Sequence, residues 1–92
     1  MENAAFTAKI FGLVQGVGFR YFTSREAAAL CVCGYVKNLP DRTVEAHAEG
    51  NRQTLEQFLK ALHKGPLGSQ VDNIDIEWQS PTNRYSDFRI TY

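Results

Sequence analysis

Cysteine is scarce in this 92-residue chain: Cys31 and Cys33 are the whole thiol inventory. Two thiols do not make a disulfide scaffold, and with only two histidines and no second cysteine pair they complete no zinc set. No metal and no cofactor is therefore expected. A surplus of either charge sign is missing too, because ten Lys and Arg offset ten Asp and Glu. A nucleic-acid binder normally gathers a basic excess on one face, so no nucleic-acid partner is expected. Long apolar runs are absent, and nothing approaches the roughly 20 residues of a membrane-spanning helix. Residues 1–9 lack the charged-then-apolar order of a secretory signal, which with the reduced thiols predicts a cytoplasmic setting without membrane contact.

What remains is ordinary soluble-protein composition, 43% hydrophobic and 22% charged. It fits one domain spanning residues 1–92. Phe6, Ala8 and Ile10 alternate with Thr7 and Lys9, the period of a half-buried strand. A glycine-rich segment follows, and the alanines at 27–29 favour a helix that Gly34 is expected to stop. Residues 35–39 read as a strand, 40–42 as a turn, and 43–49 as a strand with Val44, Ala46 and Ala48 on one face. Asn51 is placed to cap a helix in which Leu55, Phe58, Leu59 and Leu62 recur at i, i+3, i+4, i+7. Gly65-Pro66 ends it. Ile74, Ile76 and Trp78 alternate in a further strand, and Phe88, Ile90 and Tyr92 form a short last one. The order β-α-β-β-α-β plus a terminal strand predicts an α+β fold, a ferredoxin-like sandwich with an antiparallel sheet and two helices on one face.

The chemistry concentrates between Gly12 and Arg20. Gly16 and Gly18 let backbone approach a ligand without a Cβ in the way, at the positive end of the first helix. Gln15, Gly16, Val17, Gly18 and Phe19 would turn their N–H groups around an anion, and Arg20 adds a planar fork of donors suited to phosphate. No Gly-Lys-Ser/Thr follows, so this is not a Walker loop, and no cysteine lies inside it to form a phosphocysteine. The glycines alone favour a plain strand-to-helix turn with a surface arginine, and Arg20 at the helix start makes the anion-binding reading its equal.

Gly12-x-Val14-Gln15-Gly16-Val17-x-Phe19-Arg20 resembles the first signature of the acylphosphatases. Gly34-Tyr35-Val36-Lys37-Asn38, running on to Val44 and Gly50, resembles the second. The resemblance covers essentially the whole chain. It implies a small ferredoxin-like enzyme that hydrolyses the carboxyl-phosphate bond of an acyl phosphate to carboxylate and inorganic phosphate, without a metal. It also implies that Arg20 and the backbone of residues 15–20 hold the phosphoryl group while Asn38 positions the attacking water. Such an enzyme needs only a small-molecule partner, and a monomer is expected. The alternatives are a non-catalytic phosphate-binding module with the same cradle and, more remotely, an RNA-binding sandwich.

Two positions depart from that family pattern. Arg42 and Cys31 stand where glycine is usual, both in places expected to be left-handed, where a non-glycine costs about 1 kcal/mol. Arg42 is read as a solvated turn residue and the two cysteines as a helix-end pair filling core space. His47 and His63 are read as surface histidines, and Trp78 as packing against a helix.

Overall fold

Alternation along the strands decides which side of the sheet becomes the core. The computed structural model describes residues 2–92. Strand β1 (Asn3–Leu13) leads through a short bend to helix α1 (Phe19–Leu30) and then to β2 (Cys33–Asn38) and β3 (Val44–Asn51). Helix α2 (Arg52–Lys64), β4 (Gln70–Gln79) and β5 (Phe88–Ile90) complete the chain. The sheet order is β4-β1-β3-β2-β5. Phe6, Ala8 and Ile10 of β1, Val36 of β2, and Val44, Ala46 and Ala48 of β3 are all fully buried on the helix-covered side. The expected ferredoxin-like sandwich is thus present. Its first four strands are antiparallel, while β5 joins the edge parallel to β2 and makes the sheet mixed.

Helix α2 buries Leu55, Phe58, Leu59 and Leu62, each such side chain contributing roughly 1.5–3 kcal/mol. The Asn51 side chain caps it by accepting from the N–H groups of Gln53 and Thr54. Helix α1 buries a narrower face made of smaller residues. Phe19, Thr23 and Ala27 are buried at i, i+4, i+8, while Leu30 is only half-buried. Small residues at 23 and 27 let this helix lie close to the sheet, and the buried Thr23 hydroxyl donates to the Phe19 carbonyl at 2.8 Å.

The end of α1 also differs from expectation. Cys31, not Gly34, terminates the helix, in the left-handed region at φ 56 with its N–H turned back to the helix. Gly34 lies inside β2, where a Cβ would collide with the His47 carbonyl of the neighbouring strand. Cys31 is exposed and Cys33 half-buried, so the thiols fill no core space. Arg42 adopts the expected left-handed backbone, at φ 73.

Because β4 and β5 occupy opposite edges, the connection 80–87 must cross the sheet. It runs over the face without helices, where the Glu49 carboxylate accepts from the Thr82 N–H and hydroxyl and from the Asn83 N–H. Tyr85 of this strap packs on His47 and Tyr35, with ring centroids 5.3 and 6.1 Å apart. Trp78 packs edge-on against Phe6, beneath the Arg52 guanidinium at the start of α2.

Candidate active site

Leaving β1, the chain passes a bulge between Phe11 and Gly12, which re-aims the strand end toward the first turn of α1. Gly16 and Gly18 both have φ 77, and the residues between and after them keep negative φ. This alternation makes a concave run of backbone N–H groups, an anion nest. Nothing lies within 4 Å of where a Cβ would stand on either glycine, so backbone conformation and not crowding requires glycine there. Among the described residues, no carbonyl or side chain takes up the N–H groups of residues 15–18. The first helical bond of α1 is Phe22 N–H to the Gly18 carbonyl, which leaves the N–H groups of the preceding turn open as well.

These groups border a hollow of about 260 Å³. Gly16, Gly18, Phe19 and Arg20 line it from the bend and α1, Asn38 from the end of β2, and Ile90 and Tyr92 from the C-terminal strand region. Among the described residues, Arg20 is the only charged side chain on its lining, and its guanidinium rests over the Tyr92 ring at 5.0 Å. The Asn38 side-chain amide has no hydrogen-bond partner among the described residues. The hollow therefore collects one fixed positive charge, a set of free amide donors and one adaptable amide, with no Asp or Glu side chain among the described residues on its wall.

Two of the residues expected in the cradle are placed differently by their side chains. The Gln15 amide turns away and donates to the carbonyls of Leu39 and Thr43 at 2.9 and 2.8 Å. It thereby ties the bend carrying the nest to the turn that follows Asn38. Val17 packs against the core rim and lines a neighbouring surface depression with Phe22 and Pro66. Neither residue is on the lining of the hollow, and only their backbone N–H groups stand in the bend beside it. The bracing role of Gln15 has no local signal in the sequence, because its acceptors lie 24 and 28 residues away.

The turn after Asn38 is fixed further by Asp41, which accepts from Thr43 and pairs with Lys9 at 2.8 Å. Hydrogen bonds from the Lys9 ammonium and from Thr43 hold its carboxyl down at about 2. Arg42 is exposed on this turn and does not line the hollow.

Sequence reasoning missed the polar network beneath the strap. His47 is not at the surface: it is 5% exposed, and its Nε2 lies 2.7 Å from the Glu49 carboxylate, itself 7% exposed. Nδ1 meets the Thr7 hydroxyl at 2.9 Å, and Gln79 donates to that same hydroxyl. Burial alone raises the Glu49 carboxyl, but the hydrogen bonds from His47, Thr82 and Asn83 outweigh it and hold the group at about 2. Among the described residues, no three His, Cys, Asp or Glu side chains gather as a metal set, and no helix is long and apolar enough to cross a membrane.

A ferredoxin-like sandwich with a cationic amide cradle at the start of its first helix defines an anion-handling α+β protein. The comparisons name the family. The acylphosphatase family model matches residues 6–90. An acylphosphatase of Thermotoga petrophila is 47% identical over 88 residues, covering 96% of this chain and 97% of the relative. The crystal structure of the Bacillus subtilis acylphosphatase superposes with a TM-score of 0.94 at 36% identity, covering 97% of this chain and 99% of that one. An acylphosphatase structure from Coxiella burnetii gives 0.90 at 34% identity, covering 97% and 93%. The chain belongs to the acylphosphatase family, and it is an enzyme that hydrolyses acyl phosphates.

Proposed function

We propose that the phosphoryl group of an acyl phosphate seats in the hollow, held by the N–H groups of residues 15–20 and by the Arg20 guanidinium. Asn38 orients a water for in-line attack from the opposite wall. The water oxygen forms the new bond to phosphorus as the bond to the acyl oxygen breaks, and the carboxylate leaves with the bonding pair. The proton released by the water passes to phosphate or solvent. A carboxylate is a good leaving group, so the step needs no strong general acid. What it needs is positioning and stabilisation of charge on the phosphoryl oxygens. Arg20 is suited to this by its planar fork, each charge-assisted bond contributing on the order of 1.5–3 kcal/mol.

The single observation that carries this reading is the meeting of Arg20 and the unpartnered Asn38 amide across one hollow, from two different elements. A module that only bound phosphate would use the cradle and arginine and have no task for Asn38. The reading needs neither a metal nor a second subunit, and we take the chain to act as a cytoplasmic, single-domain monomer. Hydrolysis of a simple acyl phosphate such as benzoyl phosphate, measured with and without a chelator, tests it. Turnover is expected to be unaffected by the chelator and negligible on an aryl phosphate monoester. Loss of turnover on chelation, or comparable action on the monoester, contradicts the mechanism.

A further inference from the structure

A cavity of about 660 Å³ lies on the other face of the sheet, between β2, β5 and the strap. Strand alternation sets it back to back with the cradle. Lys37, Arg89 and Thr91 open into it, while their chain neighbours Asn38, Ile90 and Tyr92 line the cradle. Two features give it a chemistry of its own.

One is charge. Lys37, Arg84 and Arg89 line it against a single acid, Asp87, which pairs with Arg89 at 3.0 Å. Glu45, just beyond the rim, approaches Lys37 at 3.7 Å and accepts the Tyr35 hydroxyl. Counting Glu45, cations still outnumber acids, and Arg84 has no acidic partner among the described residues. In a chain of zero formal net charge, this is a local positive surplus.

The other is its aromatic wall. Tyr35 and Tyr85 line the cavity together, and their outward positions are held from behind. Tyr35 stacks on His47 with planes 14° apart, and Tyr85 rests on both rings. The strap carrying Arg84 and Tyr85 is pinned by the Thr82 and Asn83 bonds to buried Glu49, and at its far end by Gly34 N–H to the Asp87 carbonyl. The wall is thus fixed before any ligand arrives, which lowers the ordering cost of binding.

We propose that this cavity binds a small anion bearing a planar aromatic ring, of the size of a nucleoside monophosphate. The ring packs on Tyr85 and Tyr35, and the anionic group meets Arg84, with Arg89 and Lys37 adding to the field. The site is separate from the cradle and from the hydrolysis proposed there, so the two readings fail independently.

Amide chemical-shift titration of the full chain with adenosine monophosphate tests this. Saturable shifts are expected at Tyr35, Arg84, Tyr85 and Arg89, with the affinity falling as ionic strength rises. Adenosine alone and inorganic phosphate alone are each expected to bind at least about tenfold more weakly at these residues. Arg84→Ala and Tyr85→Ala should each weaken the nucleotide at least about tenfold, with acyl-phosphate turnover unchanged. Arg20→Ala should leave the shifts at Arg84 and Tyr85 intact. Shifts confined to residues 15–20, no saturable binding at millimolar nucleotide, or full affinity in Arg84→Ala would each overturn the proposal. Equal binding of adenosine or of phosphate alone would overturn its assignment of ligand class.

Discussion

The cradle and the strap are both polar, yet they treat their polar groups in opposite ways. Around the cradle, the N–H groups of residues 15–18 and the Asn38 amide have no partner among the described residues, and Gly16, Gly18 and Asn38 line one hollow. Under the strap, the buried His47 and Glu49 are satisfied by each other, by Thr7 and by Thr82 and Asn83 of the exposed strap. An unpaired donor is tolerable where a ligand or water can reach it, and costly where neither can. The contrast separates the groups that serve chemistry from those that serve the fold. Substitutions in the cradle should therefore cost turnover with little stability, and substitutions under the strap should do the reverse.

The sharpest way to break this division is Arg20→Lys. Lysine keeps the charge but loses the planar fork, and turnover of benzoyl phosphate is expected to fall at least about 10²-fold. Thermal unfolding should be close to that of the parent, because among the described residues Arg20 makes no ion pair or hydrogen bond and its ring contact is with the exposed Tyr92. A melting point lowered along with turnover would blur the two regions into one.

Glu49→Gln is the converse test. It removes the charge on which four hydrogen bonds from Thr82 and Asn83 of the strap converge, and stability should drop on the order of 2 kcal/mol, read by urea unfolding. Activity per folded molecule should hold. The same carboxylate sets an acid limit. Its folded-state value, about 2, lies below the ordinary 4.5, so the stabilisation is fully present above pH 4.5 and drains away as pH falls toward 2. Glu49→Gln should lose that dependence, so the two stability curves converge in acid.

A smaller effect sharpens the account at the turn after Asn38. Arg42 holds φ 73 with no special partner for its side chain, and Arg42→Gly should raise stability by up to about 1 kcal/mol. Turnover should be unchanged, since Arg42 stays clear of the hollow. A decrease in turnover would place its charge within reach of the substrate.

The two regions also differ in how far the sequence reveals them. The nest is a local object, written in consecutive residues whose glycines have only a backbone reason to be there, so its position and Arg20 are readable directly. The left-handed turns at Cys31 and Arg42 carry no glycine of their own and are legible only because glycine is usual at those places in the family the sequence resembles. Asn38 needs more: nothing near it in the chain announces a site, and only the resemblance of its surroundings to a known family singles it out. The His47–Glu49 layer is illegible because it is made by register. Thr7 and His47 are 40 residues apart, Glu49 and Thr82 33 apart, and alternation shows His47 only as a polar residue on the outer face. Sequence alone places Gly34 at the helix end because glycine serves equally as a stop signal and as a point of close strand approach. What distinguishes them is the neighbouring His47 carbonyl, which pairing alone brings near.

The central claim is that one wall of the hollow holds the phosphoryl group and the other holds the water. Asn38→Ala tests it most directly, with turnover and competitive inhibition by inorganic phosphate measured on the same preparation. The predicted result is turnover reduced at least about 10²-fold while the phosphate inhibition constant moves less than about threefold. Near-normal turnover, or phosphate affinity lost in step with turnover, would contradict the division of labour between Arg20 and Asn38.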